Sequence, residues 1–251
     1  MAEAIALIDY GAGNLHSVHN ALQAAGAGHV HVTADPAIVR GARRIVLPGV
    51  GSFKACANGL KAIPGLVEAL EDRVIHAGVP FLGICVGMQL LATRGKEHGT
   101  TKGLGWIAGE VRAIESTDPA IKVPHMGWND VMPMPHRDGA QLVEQGEAYF
   151  LHSYHFAVAE GRDVAAMTDH GGGLVAAVAR DNILGVQFHP EIDSEIFSSW
   201  AATDDELAKL DHTIEQACQQ VAAAEAELIK TWKPAFQAWA QLVKDQQAKA
   251  L

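Results

Sequence analysis

An α/β fold built on a mostly parallel central sheet is what this sequence predicts, and three observations predict it. Short apolar runs rich in β-branched residues alternate with helical patterns through the first ninety residues. One of those runs enters Gly83-Ile84-Cys85-Val86-Gly87 and passes at once into a helical pattern. After Gly105 the alternation gives way to strand-like runs separated by turns. Strand–helix alternation with short connections implies parallel strands covered on both faces, and the later runs add antiparallel strands and hairpins to the same core.

Taken in order, Ala4–Ile8 reads as a buried strand, broken by the turn Asp9-Tyr10-Gly11-Ala12-Gly13-Asn14. Leu15, Val18 and Leu22 then recur at helical spacing, with Gly26 placed to end that helix. His29–Thr33, Arg44–Leu47 and Val79–Ile84 read as strands. A helix begun by Pro64 lies between the last two, with Leu66, Val67 and Leu70 on one face and Gly78 after its end. The later strand-like runs are Trp106–Ile114, Tyr149–Val158, Val164–Met167, Leu174–Val178 and Ile183–Phe188.

The last sixty residues differ in character. Residues 191–251 hold eleven Asp/Glu and five Lys/Arg, so they carry −6 of the net charge of −10. Thr203-Asp204-Asp205-Glu206 is a capping box that opens an Ala-, Gln- and Glu-rich helical pattern. Pro234 starts a final helix bearing Phe236, Trp239, Leu242 and Val243. Residues 1–251 therefore read as one domain, with 192–251 a helical extension packed on it through Trp232, Phe236 and Trp239.

Composition narrows the function classes. Hydrophobic residues at 49% and charged residues at 19% fit a globular chain with a sizeable core. Net charge −10 would repel phosphate backbones and anionic lipid, which argues against nucleic-acid or membrane partners. No apolar run reaches the roughly 18 residues of a membrane span. The start Met1–Ile5 lacks the features of a secretory signal, and Cys56, Cys85 and Cys218 look like thiols in a reducing compartment. A cytoplasmic protein is expected.

The Gly-x-Cys-x-Gly turn carries the strongest chemical signal. A nucleophile on a tight strand-to-helix turn needs small flanking residues, and the turn exposes the sulfur. The following helix start favours thiolate and offers the Val86 N–H to a developing oxyanion. A small core cysteine between packing glycines is the plain alternative. A thiol nucleophile needs a base oriented by a third group. Val186-Gln187-Phe188-His189-Pro190-Glu191 supplies one, because alternation in an extended segment points His189 and Glu191 the same way. Leu47-Pro48-Gly49-Val50-Gly51 is a glycine-bounded turn after a strand, which suits an oxyanion hole.

Other patterns carry less. Gly11-x-Gly13-x-x-His16 mimics a dinucleotide fingerprint, but His16 stands where the third glycine belongs. His29/His31 and His152/His155 have spacings seen in metal sites, with no further ligand to complete them. Neither a cofactor nor a metal is expected. Cys56 and Cys218 read as packing residues.

Together the three segments resemble the class I glutamine amidotransferases, which carry a Cys–His–Glu triad in this order. The resemblance covers about residues 4–191. It implies the three-layer α/β fold of that class and a glutaminase activity on L-glutamine. By position it makes Cys85 the nucleophile, His189 the base and Glu191 its orienter, with the Val50 and Val86 N–H groups as the oxyanion hole. In the family that hole needs partner-driven rearrangement of the Pro48–Gly51 turn. Gly51, Gln89, Glu97, Ser153 and Tyr154 fall at the substrate positions. The segments Asp9–Leu15 and Pro124-His125-Met126-Gly127-Trp128-Asn129 resemble the histidine-biosynthesis branch, the glutaminase subunits of imidazole glycerol phosphate synthase. That likeness implies a cyclase subunit as partner, facing Asn14, His125, Met126, Trp128 and Asn129. The sequence departs where the family continues Lys-Ser after His-Pro-Glu, since Ile192 and Asp193 stand there. Its long tail looks more like those of free-standing class I amidotransferases. A free-standing amidotransferase with another acceptor, or a non-catalytic binding module on the same fold, are the alternative readings.

Overall fold

The computed structural model describes residues 4–192, except 117, 136 and 138, together with residues 219, 234 and 237–239. The capping box, Cys218, Trp232 and Phe236 lie outside the described residues.

Thirteen strands and five α-helices lie in the described residues up to 192, and residues 219, 234 and 237–239 are helical as well. The first half runs β1 (Ala4–Ile8), α1 (Leu15–Ala24), β2 (His29–Thr33), α2 (Pro36–Gly41), β3 (Arg44–Leu47), α3 (Phe53–Ala62), α4 (Leu66–Glu71), β4 (Phe81–Ile84) and α5 (Val86–Gln89). Then follow β5 (Arg94–Gly95), β6 (Thr101–Lys102), β7 (Gly109–Ala113), β8 (His125–Pro133), β9 (Gly146–His152), β10 (Tyr154–Val158), β11 (Val164–Asp169), β12 (Gly173–Arg180) and β13 (Ile183–Val186). Nine strands form one sheet in the order β2-β1-β3-β4-β13-β12-β11-β8-β9, and β10-β7-β5-β6 form a second. The large sheet is parallel from β2 to β13 and antiparallel from there to β9. The α/β class with antiparallel additions is what the sequence predicts.

Central strands show why they are central. Every residue of β3, β4 and β13 is buried, and apart from Arg44 at the start of β3 they are the apolar runs expected of a doubly covered parallel sheet. Burying one such Leu, Ile or Val side chain contributes about 1.5–3 kcal/mol. Polar caps start the first three helices. The Asn14 side chain accepts from Ser17 N–H at α1, Asp35 from Ala37 N–H at α2, and Ser52 from Ala55 N–H at α3.

Several boundaries differ from expectation. Helix α4 begins at Leu66 after a left-handed Gly65, and one π turn over Asp72–His76 continues it. The Tyr149–Val158 run is two strands. The chain leaves the large sheet after His152 and enters the small one at Tyr154, and the Ser153 carbonyl at the switch accepts from Ile114 N–H. The Trp106–Ile114 run keeps only Gly109–Ala113 as strand, and β8 arises in the Pro124–Asn129 segment. Its alternation is masked by Gly127 and by His125 and Asn129, whose side chains bond to each other.

His125 also belongs to a buried histidine pair. His125 and His152 are directly opposed in the β8–β9 register, their rings 3.1 Å apart from Nδ1 to Nε2. Phe150 stacks on His125 at a centroid distance of 4.5 Å, and His170 stacks at 4.1 Å. Burial, and then the neighbouring histidines, pushes the His125 pKa down to about 3; burial likewise lowers His152 to about 3, against a bond to the Tyr154 carbonyl. Both rings are neutral at pH 7, and unfolding below pH 6.5 takes up their protons. Their contribution to stability is present above about pH 6.5 and is lost as pH falls toward 3. Between pH 7 and pH 5 the unfolding free energy should drop by roughly 2 kcal/mol per ring. Urea titrations at the two pH values check this, and equal free energies would show ordinary titration.

Candidate active site

The pairing of β4 with β13 builds the site. Val186 is in register with Ile84, so the residues following both strands emerge side by side at the carboxyl end of the sheet. Cys85 follows one strand; Gln187, Phe188 and His189 follow the other.

Cys85 sits at φ 53°, ψ −113°, in the left-handed half of backbone space that a residue with a Cβ seldom occupies. Its N–H donates to Val186 C=O at 2.8 Å, which ties the strained residue to the neighbouring strand. Both flanking glycines are required by contact. A Cβ on Gly83 would lie 2.7 Å from the Gly87 carbonyl oxygen, and one on Gly87 would lie 1.8 Å from the Leu47 oxygen. The expected helix after the elbow is a single turn, α5, so any macrodipole acting on the sulfur is that of one turn.

His189 is buried, and its backbone N–H donates to Tyr149 C=O at 2.9 Å. Its Nδ1 lies 3.0 Å from Glu191 Oε1, with both side chains almost wholly enclosed, and the same ring is hydrogen-bonded to Cys85. Burial disfavours the charged ring, yet the Cys85 sulfur and the Glu191 carboxylate outweigh it and lift the His189 pKa to about 10. The structure thus brings Cys85, His189 and Glu191 together in a row, sulfur to imidazole to carboxylate.

The Pro48–Val50 turn lies across the elbow. Gly49 C=O accepts from Val86 N–H at 3.3 Å. In a trans peptide the C=O and the following N–H point in opposite directions. With the Gly49 oxygen on Val86 N–H, the Val50 N–H is therefore directed away from it. The two groups expected to share an oxyanion do not converge in this state: one is capped and the other is averted.

The other predicted residues are placed as follows. Gln89 is buried, its Nε2 donating to Gln187 Oε1 and to Tyr154 C=O, each at 3.0 Å. Glu97 is half-buried and accepts from Phe53 N–H at 2.6 Å, at the start of α3. Gly51 is exposed at φ 86°. Ser153 and Tyr154 stand half-buried at the sheet switch. Among the residues expected at a partner surface, Asn14, Met126, Trp128 and Asn129 are half-buried, whereas His125 is enclosed. Asn129 Nδ2 reaches both His125 Nε2 (3.0 Å) and Asp169 C=O (2.7 Å). Among the described residues no three His, Cys, Asp or Glu side chains gather as metal ligands, and no helix is long and apolar enough to cross a membrane.

Sequence reasoning missed Gln187, whose Nε2 lies 3.6 Å from the Cys85 sulfur and whose other amide atom holds Gln89. Its signal is a glutamine inside an apolar strand end, a polar residue with no reason to be there unless it has partners. Also missed were Tyr10, which donates to Pro48 C=O at 2.7 Å, and Cys56, whose thiol donates to Val50 C=O at 3.2 Å.

A strained cysteine elbow facing a His–Glu pair defines a cysteine-dependent amide hydrolase site, and comparison agrees with that class. The glutamine amidotransferase class-I family matches residues 6–201, and the chain belongs to that family. More particularly, the chain is 57% identical over 189 residues to the imidazole glycerol phosphate synthase subunit HisH of Zymomonas mobilis subsp. mobilis, covering 74% of this chain and 88% of that protein. It is 51% identical over 190 residues to the subunit of the same name from Cereibacter sphaeroides, covering 74% and 90%. A crystal structure of a glutamine amidotransferase from Thermotoga maritima superposes with a TM-score of 0.66 at 16% identity, covering 95% of this chain and 98% of that one.

Gly87→Ala tests the elbow's geometry. With a methyl forced onto the Leu47 oxygen, the variant should lose about 3 kcal/mol of stability or fail to fold, read as the urea midpoint. An unchanged midpoint would mean that the turn tolerates a side chain.

Proposed function

We propose that this chain is the glutaminase subunit of an imidazole glycerol phosphate synthase, hydrolysing L-glutamine and passing ammonia to a cyclase subunit in histidine biosynthesis. The observation that carries this reading is the buried Cys85–His189–Glu191 arrangement on a strained elbow, in a chain 57% identical over 189 residues to a protein of that name.

The chemistry follows from the geometry. Cys85 sulfur attacks the side-chain amide carbon of glutamine, while His189 holds the thiol proton, its charged form favoured by Glu191. The carbonyl oxygen gains negative charge and needs donors, which Val86 N–H and Val50 N–H supply once the Gly49–Val50 peptide turns over. His189 then gives its proton to the leaving nitrogen, and ammonia departs as the thioester forms. Water activated by His189 cleaves the thioester to glutamate. The capped hole of the isolated chain supports low turnover until a partner shifts the turn. Gln89, Glu97, Gly51, Ser153 and Tyr154 would hold the substrate, with the Glu97 carboxylate suited to its α-ammonium group. Asn14, Met126, Trp128 and Asn129 would face the cyclase, with the enclosed His125 bonded to Asn129. A cytoplasmic location fits this role.

Measured with the cyclase subunit present, Cys85→Ser should abolish hydrolysis with the fold intact, because serine is not an accessible anion near neutral pH. His189→Ala should slow turnover by roughly 10²–10⁴-fold and Glu191→Gln by less, since one residue moves the proton and the other orients the ring. Wild-type turnover in Cys85→Ser would remove the sulfur from the mechanism.

The extension at 192–251 reads as part of the same domain. Trp239 supports this, being 1% exposed and joined to the main core cluster. Trp239→Ala should cost about 3–5 kcal/mol, and a thermal midpoint equal to wild type would mark the extension as dispensable to the fold.

A further inference from the structure

Two buried side chains outside the triad hold the turn that caps the elbow. Tyr10 leaves the loop after β1 and donates from its hydroxyl to Pro48 C=O at 2.7 Å. Cys56, at the end of the first turn of α3, donates from its sulfur to Val50 C=O at 3.2 Å. Both are enclosed, at 5% and 0% exposure. Their hydroxyl and thiol lie close enough to influence each other's titration, so they sit side by side beneath the turn. Burial pushes the Cys56 pKa up to about 11 and raises Tyr10 further, so each keeps the proton that it donates.

The carbonyls they hold belong to the two peptide planes on either side of Gly49–Val50. The Pro48 oxygen lies in the plane before it, and the Val50 oxygen in the plane after it. The intervening plane carries the Gly49 oxygen, which rests only on Val86 N–H at the longer distance of 3.3 Å. A Cβ on Gly49 would lie 2.7 Å from Gly87 N and 2.8 Å from the Tyr10 hydroxyl, so the turn is seated directly on this pair and on the elbow. Pro48 is closed in from the other side, where a Cβ on Gly13 would come within 2.9 Å of its ring.

We propose that Tyr10 and Cys56 are positioning residues that pin the planes flanking Gly49–Val50, so that this one plane turns between fixed ends and brings Val50 N–H to the oxyanion in register with Val86 N–H. This inference rests on the glutaminase reading above. Neither residue touches the substrate; each acts through the placement of a backbone donor. A loosened clamp leaves the nucleophile unaltered and misplaces the donor, so kcat falls while substrate affinity stays.

The test uses the full-length chain with its cyclase subunit and three variants. Tyr10→Phe and Cys56→Ala each remove one donor, and Cys56→Ser restores one. Losing a whole oxyanion donor costs about 10²–10³ in kcat, and a misplaced one should cost about tenfold. The KM for glutamine should move less than about twofold, because uniform binding is untouched. Alkylation of Cys85 by iodoacetamide, followed by peptide mass spectrometry, should keep its wild-type rate, since that displacement creates no oxyanion. Cys56→Ser should recover most of the turnover lost in Cys56→Ala. Should Cys56→Ala fail to fold, the isosteric Tyr10→Phe decides alone. Unchanged or increased kcat in the variants overturns the clamp, and so does an alkylation rate that falls in step with kcat, which marks general damage. Absence of wild-type turnover in the same assay would strike the glutaminase reading itself and the clamp with it.

Discussion

The parallel pairing of β4 with β13 is the constraint on which the rest depends. These strands are separated by about a hundred residues, and their register alone brings Cys85 beside His189. Two close approaches make that pairing useful. Gly83 and Gly87 let the chain reverse so tightly that the cysteine is lifted off the strand end, and the hydrogen bond from Cys85 N–H to Val186 holds it in a conformation it would not adopt alone. The strain of one residue is thus offset by the cohesion of two fully buried strands. A fold with a looser centre would relax the elbow and lose the geometry.

Much of this was legible in the sequence because the signals were local. The strands β1, β2 and β3 follow from their β-branched runs, and the elbow from glycines at fixed offsets around a cysteine. His189 and Glu191 were legible as a pair because alternation fixes their relative direction over three residues. What was not legible depends on contacts between distant segments. Gln187 matters through Cys85 and Gln89; Cys56 looks like a packing residue until the Val50 carbonyl is seen above it. His152 was weighed beside His155, its sequence neighbour, whereas its partner is His125 across the β8–β9 register. A spacing rule cannot find a partner on another strand.

The buried histidine pair also links two regions that the sequence presents separately. His125 bonds to Asn129 on the side expected to meet a partner, and His152 bonds to the Tyr154 carbonyl, which also receives Gln89. A run of direct hydrogen bonds therefore extends from the outer strands toward the substrate positions. Spatial continuity of this kind supplies a route for mechanical coupling; a demonstration of coupling requires a second arrangement of the same groups.

The cap on Val86 N–H is a main-chain oxygen, and that has a consequence for how such a protein changes over generations. A side chain that blocks a site can be deleted by one base change, leaving an enzyme that consumes glutamine without restraint. A backbone carbonyl is present whatever residue is encoded at position 49. Mutation can reach it only indirectly, through the neighbours that set the pose of the turn. Where such a cap restrains turnover, as proposed for this turn, the restraint is hard to lose by accident and can be adjusted in small steps.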